Sequence, residues 1–124
     1  MDLCFQSFSA ELENLAARYS AVFLLEHEGE YAGCAALASK GDGVGEMKRL
    51  YVAEPAQGNG FGKALMEEVL REARRLGLRR VVLDTIASKM PKAVEMYRRR
   101  GFVETGRHVG GGYELLDMEI SLED

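Results

Sequence analysis

Cysteine and histidine are scarce in this chain, with two of each, at Cys4, Cys34, His27 and His108. Neither pair has the close spacing of a metal-binding motif, so no metal site is predicted. The two cysteines also form no disulfide framework. We therefore expect buried or free thiols and a location in the reducing cytoplasm.

Positively charged residues are also fewer than negatively charged ones. Sixteen Lys and Arg residues stand against twenty Asp and Glu residues, for a formal net charge of −4. This balance argues against nucleic acid or a membrane surface as the main partner. No apolar run approaches membrane-spanning length, and no signal peptide opens the chain. The 124 residues are expected to form a single domain, 1–124, that buries a core without disulfides or metal.

What the chain does contain is a glycine-rich turn between a strand and a helix, written Gln57-Gly58-Asn59-Gly60-Phe61-Gly62-Lys63. Met47 to Val52 before it has the pattern of a strand, and the residues up to Leu76 carry apolar side chains at helical spacing. The first turn of a helix has free N–H groups and a partial positive charge, which suits phosphate-like anions. Glycines let such a ligand approach the backbone closely. A tight turn without a ligand is the alternative.

The spacing of the glycines excludes two well-known phosphate loops. The P-loop is excluded because Gly62-Lys63 is followed by Ala64 instead of a magnesium-binding Ser or Thr. The dinucleotide-binding fingerprint is excluded because its third glycine would fall on Lys63. The pattern that fits is Q-x-x-G-x-G, and it resembles the pyrophosphate loop of the GCN5-related N-acetyltransferases (GNAT family). The flanking segments Glu46–Pro55 and Ala93–Phe102 resemble the same family in order and spacing.

The remaining pattern predicts a mixed sheet of the α/β (α+β) class. An antiparallel meander of three strands is followed by a right-handed parallel β-α-β crossover and a closing antiparallel pair. Gly106 to Gly112, with four glycines, is predicted to be a mobile loop within that closing pair. The predicted elements are a helix from Ser9, strands Ala21–Leu25, Tyr31–Ala38 and Met47–Val52, the helix to Leu76, strand Arg80–Asp84, helix Pro91–Arg100, and strands Phe102–Thr105 and Tyr113–Ile120.

The resemblance implies that acetyl coenzyme A is the cosubstrate and lies in a gap between the two parallel strands. Its pantetheine would pair with the backbone of Leu50, Tyr51 and Val52. Its pyrophosphate would lie on the main-chain amides of the glycine turn. The cofactor-binding residues implied there are Gln57, Gly58, Asn59, Gly60, Phe61, Gly62 and Lys63.

Acetyl transfer to an amine needs a proton acceptor, donors for the oxyanion and a proton for the departing thiolate. The resemblance assigns the last role to Tyr97, although a packed aromatic at a helix end is the alternative. It assigns the oxyanion to a backbone N–H near Tyr51 and Val52. Glu46 is the candidate base, with Asp84 or water as alternatives, and a solvated strand-end charge is the competing interpretation. On a regular strand Glu46 would share a face with Lys48, Leu50 and Val52, whereas a bulge would break that count.

These inferences predict an N-acetyltransferase that acts on a primary amine of a small molecule or peptide. The alternative is a catalytically silent domain of the same fold that only binds coenzyme A. Relative to the family pattern the amino terminus is shortened, which would leave Ala21–Leu25 at a sheet edge. A homodimer that covers this edge is predicted, unless the helix at Ser9 covers it within one chain.

Overall fold

Three antiparallel strands open the described part of the chain, which in the computed structural model comprises residues 19–123. They are β1 (Ala21–His27), β2 (Glu30–Gly41) and β3 (Val44–Val52). Glu28-Gly29 and Asp42-Gly43 join them, and all four residues have positive φ. Two consecutive positive φ angles are characteristic of type I′ hairpins, for which Asp-Gly is a preferred sequence. The predicted helix at Ser9 lies outside the described residues.

The second half of the chain supplies the crossover and the closing pair. A short 3-10 turn at Glu54–Ala56 precedes the first described helix. The described part of the sheet has six strands in the order β1-β2-β3-β4-β6-β5. β4 is parallel to β3 and antiparallel to β6, so the predicted meander, crossover and antiparallel pair are confirmed. The remaining elements are α1 (Phe61–Arg75), β4 (Arg80–Thr85), α2 (Pro91–Arg100), β5 (Val103–Gly110) and β6 (Tyr113–Ser121).

The prediction of a loop from Gly106 to Gly112 is wrong. β5 continues through Gly110, and only Gly111-Gly112, both with positive φ, form the hairpin turn. Arg107 helps to hold the extended strand, because its guanidinium donates to Glu104 at 3.0 Å and to Glu114 on β6 at 2.9 Å. The glycine content suggested irregular structure, whereas the pairing of β5 with β6 determines the conformation.

Both helices pack on the same face of the sheet, which we call the helix face. α1 presents an apolar stripe to this face, as its periodicity predicts. The buried core is continuous through both helices and the sheet, and each fully buried large side chain contributes about 1.5–3 kcal/mol. The buried residues of α1 and α2 in this core are Leu65, Met66, Val69, Leu70, Ala73, Val94 and Tyr97.

A β-bulge in β3 changes which side chains reach the core. Cys34 is opposite Tyr51 and Ala36 is opposite Lys48, so one residue of β2 faces two residues of β3. Arg49, at the bulge, has φ of 55°, a conformation that non-glycine residues rarely adopt.

The bulge corrects the face assigned to Glu46. Leu50 and Val52 pack against the core on the helix face. Glu46 and Lys48 precede the bulge and alternate with Met47, which is buried in that core. Their side chains therefore point to the face opposite Leu50 and Val52, because the strand is not regular and the bulge breaks the count that holds for a regular strand. A single extra residue produces the reversal, because strand side chains alternate with a period of two.

Gly33 allows β2 to approach β3 closely beside the bulge. A Cβ at this position would lie 2.3 Å from the carbonyl oxygen of Tyr51, closer than atoms can approach. A backbone atom cannot move aside as the end of a flexible side chain can. The close packing of β2 against β3 therefore explains the glycine at position 33.

Gly33→Ala is therefore expected to lower the free energy of unfolding by about 3 kcal/mol, the upper range for overpacking. Gly62→Ala is the matched control, because a Cβ there meets only ordinary contacts at 3.8 and 3.9 Å. Urea unfolding followed by circular dichroism measures both variants. Equal midpoints for the Gly33 variant and the wild type would show that the two strands separate without cost.

Candidate active site

The sheet splits between its two parallel strands. β3 and β4 pair only from Val44 and Arg80 to Glu46 and Val82. Beyond these residues β3 continues to Val52, whereas β4 stays paired with β6 as far as Thr85. The bulge at Arg49 lies in the part of β3 that has left β4, and bulges bend strands. Glu46 therefore marks the start of a gap in the sheet.

The glycine turn leads from the end of β3 into α1 and presents main-chain donors. Gly60, at the start of α1, has φ of 76°, and no side chain caps the helix. The side chains of Gln57 and Asn59 instead donate 2.9 Å hydrogen bonds to the carbonyls of Val52 and Ala56, which holds the turn in shape. Within the described residues, no protein atom accepts a hydrogen bond from the N–H groups of residues 58–63. These donors are available to an anion.

A groove of about 560 Å³ lies between α1 and α2, next to the glycine turn. Two of its cations, Lys63 and Lys92, form no ion pair with any described residue. Arg100 donates to Glu67 at 2.6 Å, and Arg99 pairs with Glu95. The lysines are therefore the cations of this groove that are free to bind phosphate. Sequence reasoning missed Lys92, since a lysine near a helix start has no distinguishing pattern. The lining residues are Lys63, Met66, Glu67, Lys92, Glu95, Met96, Arg99 and Arg100.

The turn, α2 and the end of β3 converge at one point. A Cβ on Gly62 would lie 3.8 Å from Met96 Sδ of α2 and 3.9 Å from Val52 Cγ2 of β3. Met96 is the neighbour of Tyr97 in the sequence. The glycine turn and the end of β3 therefore meet at α2, the helix that carries Tyr97.

Tyr97 is buried, and its hydroxyl has no hydrogen-bond partner within residues 19–123. The residue is 5% exposed, and its ring lies 5.5 Å from that of Phe102. No described residue forms a hydrogen bond with its hydroxyl, although buried tyrosines usually have one. Burial raises the pKa of Tyr97 to about 12. The phenol is therefore protonated at neutral pH and can act only as a proton donor there.

Glu46 occupies the first position of the gap on the face opposite the helices. Its carboxylate lies 3.9 Å from Lys40 Nζ and 3.8 Å from Lys48 Nζ. These two exposed ammonium groups partly balance its charge. Tyr97 belongs to the core of the helix face, so the candidate acid and the candidate base lie on opposite faces of the sheet.

A second group of polar side chains lies on the same face as Glu46. Asp84, His108 and Asp117 come from β4, β5 and β6, and their potential ligand atoms lie within 4.8 Å of one another. The hydrogen bond to Asp117, supported by the charges of Asp117 and Asp84, raises the pKa of His108 above its ordinary value. Sequence reasoning singled out Asp84 but missed the other two, because strand pairing brings together residues far apart in the chain.

The described residues fit acetyl coenzyme A as a cosubstrate. The free amides suit its pyrophosphate, the two unpaired lysines suit its phosphates, and the split edge of β3 suits its amide-bearing pantetheine. A protonated tyrosine beside this site can supply the proton that a leaving thiolate requires. The fold and the site together define an acyltransferase that takes an extended, phosphorylated cosubstrate into a split sheet.

The model of the acetyltransferase (GNAT) family matches residues 3–102 of this chain. The chain therefore belongs to the GNAT acetyltransferases, and the predicted family and enzyme class are confirmed. An uncharacterized N-acetyltransferase of Schizosaccharomyces pombe is 36% identical over 111 residues, which are 85% of this chain and 68% of that protein. An IAA acetyltransferase of Azospirillum brasilense is 32% identical over 97 residues, covering 77% of this chain and 63% of the relative.

Solved structures agree on the fold. A ribosomal-protein-alanine N-acetyltransferase from Brucella melitensis superposes with a TM-score of 0.76 and 26% identity, covering 98% of this chain and 80% of that chain. A putative acetyltransferase from Salmonella typhimurium, solved with acetyl-CoA, has a TM-score of 0.73 and 25% identity over 100% of this chain and 76% of its own. The predicted fold class is confirmed. Among the described helices, none has the length and apolar character needed to cross a membrane.

Proposed function

We propose that this protein transfers an acetyl group from acetyl coenzyme A to a primary amine of a small molecule or peptide. The observation that carries the proposal is the hydroxyl of Tyr97, buried and without a partner among the described residues. A domain that only binds the coenzyme has no use for such a group, because an unsatisfied buried hydroxyl costs about 1–3 kcal/mol.

The cosubstrate would be held by three parts of the site. The amides of residues 58–63 bind the pyrophosphate, and Lys63 and Lys92 balance the charge of the coenzyme phosphates. The edge of β3 at Leu50, Tyr51 and Val52 pairs with the pantetheine amides, as an added strand would. The bound coenzyme supplies an acetyl thioester, which an amine can attack.

Tyr97 and Glu46 then divide the proton chemistry. Tyr97 donates its proton to the departing thiolate, for which its neutral form is required. A backbone N–H near Tyr51 or Val52 stabilises the negative charge on the thioester oxygen. Glu46, at the start of the gap, accepts the proton of the amine directly or through water.

The acceptor is proposed to be a small amine or the amino group of a peptide. An amino-acid acetyltransferase of Ralstonia nicotianae is 39% identical over 93 residues, which are 74% of this chain and 19% of that protein. The Brucella neighbour is described as acting on a ribosomal-protein alanine. Acidic side chains on the face opposite the helices, Glu46, Asp84 and Asp117, favour a positively charged acceptor.

The proposal is tested by incubating the protein with acetyl coenzyme A and a panel of free amino acids, polyamines and peptides with a free amino terminus. Mass spectrometry identifies acetylated products. At least one class of amine is expected to be acetylated at a rate above the uncatalysed control. Tight coenzyme binding by calorimetry without any acetylated amine would favour the silent coenzyme-binding domain instead.

We also propose a homodimer in the reducing cytoplasm. The proposal is supported by β1, which pairs only with β2 among the described strands and so presents an edge that another chain can cover. The buried thiol of Cys34 is in keeping with a reducing compartment. Light scattering during gel filtration is expected to give twice the 13.7 kDa chain mass at micromolar concentration. A mass of one chain at every concentration would contradict the dimer.

A further inference from the structure

The imidazole of His108 is held between two carboxylates from neighbouring strands. Its Nδ1 lies 2.9 Å from Asp117 Oδ2, and its Nε2 lies 3.7 Å from Asp84 Oδ2. Asp84 and Asp117 are directly paired between β4 and β6. The side chains of Asp84, His108 and Asp117 are 45%, 46% and 34% exposed, so a solute can reach them.

The two nitrogens of His108 have different environments. The short contact indicates that Nδ1–H donates to Asp117, which fixes the ring orientation and leaves the lone pair of the neutral ring on Nε2. A carboxylate that holds an imidazole in this way makes the other nitrogen an effective proton acceptor. In His108 that nitrogen faces Asp84.

A single ammonium nitrogen can bridge His108 Nε2 and the Asp84 carboxylate from one side. One nitrogen atom can lie at a hydrogen-bonding distance of about 2.9 Å from both atoms, since these are 3.7 Å apart. An ammonium ion donates to both groups and balances the charge of the carboxylate. A direct hydrogen bond from Nε2 to Asp84 would be shorter than the distance observed.

Asp84 also lies beside the gap. It is the second residue after Val82, where the pairing between β3 and β4 ends. In the sheet it alternates with Leu83, which is buried in the core of the helix face. The Asp84 side chain is therefore on the face opposite Tyr97, and a nitrogen bound there can enter the gap from the side away from the acid.

We propose that Asp84 and His108 form the acceptor subsite, in which Asp84 binds the substrate ammonium, His108 Nε2 takes its proton and Asp117 is a positioning residue. This inference rests on the proposed acetyl transfer: His108 takes the first proton of the ammonium, and Glu46 accepts the second proton of the nitrogen through water. The ammonium loses one proton to Nε2, and the amine lone pair forms the C–N bond to the acetyl carbon. The C–S bond breaks and the thiolate takes the proton of Tyr97. The acylated nitrogen still carries a second proton to lose, which Glu46 accepts through water. Of the two protons then held by His108 and Glu46, one returns through water to the Tyr97 phenolate and the other is released to water.

The pH dependence follows from the groups that face the ring. Among the described residues these are Asp84 on β4 and Asp117 on β6, whereas Arg107 of β5 is paired with Glu104 and Glu114. Both carboxylates favour the protonated ring, so the pKa of His108 lies above its ordinary value. The base is active when neutral, so kcat/KM is expected to rise with pH through this pKa and then to level off.

The test compares kcat/KM against pH for the wild type, His108→Gln, Asp117→Asn and the control Glu114→Gln, with one acetylated amine as acceptor. His108→Gln is expected to lower the plateau by about 10²-fold or more, as for loss of a general base, with coenzyme affinity unchanged. Asp117→Asn is expected to retain part of the activity and to move the acidic limb to lower pH. The Glu114 variant, changed elsewhere on the same hairpin, should match the wild type.

A His108→Gln plateau within a factor of about three of the wild type, with the same acidic limb, would overturn the inference while leaving acetyl transfer intact. A wild type that acetylates no amine would instead refute the proposed function.

All assays are repeated with EDTA. Activity that is lost with the chelator and restored by a divalent cation would also overturn the inference, because the same three side chains would then be metal ligands.

Nuclear magnetic resonance supplies a readout that needs no activity. The chain has two histidines, so the spectrum of His108→Gln assigns the remaining imidazole signals to His27. The His108 ring is expected to titrate at lower pH in Asp117→Asn than in the wild type. Identical titration curves would show that Asp117 does not hold the ring, against the inference.

Discussion

Tyr97→Phe is expected to lower turnover by roughly 10²–10⁴-fold, the range for loss of a general acid. The substitution removes only the hydroxyl, and the ring can keep its contact with Phe102 at 5.5 Å. No residue in the described part of the chain bonds to this hydroxyl, so its removal breaks no hydrogen bond there. Steady-state kinetics measure turnover, and calorimetry should show coenzyme affinity close to that of the wild type.

Tyr31→Phe makes the same chemical change at an exposed position on β2 and is expected to keep full turnover. Turnover of the Tyr97 variant within a factor of about three of the wild type would assign the thiolate proton to water or another group. The hydroxyl would then be a feature of packing alone.

The same variant reports on the raised pKa through stability at alkaline pH. Tyr97 has a pKa of about 12 in the folded protein and of about 10 in an unfolded chain. A raised pKa contributes stability that is fully present below pH 10 and is lost as pH rises towards 12. The loss amounts to about 3 kcal/mol in the free energy of unfolding. Because Tyr97→Phe has no phenol to ionise, urea unfolding should show its stability rising relative to that of the wild type as the pH increases over this range.

Gly60→Val is expected to weaken coenzyme binding at least about tenfold, which corresponds to about 1.4 kcal/mol. Gly60 has φ of 76°, a conformation that a β-branched residue adopts only under strain. The substituted turn must therefore shift, and the amides that bind the pyrophosphate shift with it. Isothermal titration with coenzyme A measures the change.

The other end of α1 offers a control matched in backbone strain. Gly77 also has φ of 76°, and at both glycines an added Cβ would meet open space. Gly77→Val should cost a similar amount of stability and leave coenzyme affinity unchanged. Equal affinities in the two variants would show that the anion binds elsewhere.

The local sequence pattern was sufficient to predict the central β-α-β crossover. Helix Pro91–Arg100 has the predicted bounds, because Pro91 is favourable in a first turn and Gly101, with φ of 119°, ends the helix. The glycine turn lies between β3 and α1, as predicted. In each case residues a few positions apart determine the structure.

Long-range pairing explains what the sequence did not predict. Whether Gly106–Gly110 is strand or loop depends on its pairing with β6, and the bulge at Arg49 depends on the register with β2. The same bulge moves Glu46 to the face opposite Val52. His108 and Asp117 meet only because β5 pairs with β6, so no local pattern marks them as part of a site.

We attribute acetyl transfer by this domain to its split sheet and its protonated tyrosine. The most direct test is the appearance of free coenzyme A thiol from acetyl coenzyme A, followed with a thiol reagent in the presence and absence of amines. We expect thiol release that depends on an amine, equals the acetylated product in amount and is almost abolished by Tyr97→Phe. Wild-type protein that binds acetyl coenzyme A but releases thiol at the same rate with and without every amine would contradict this attribution.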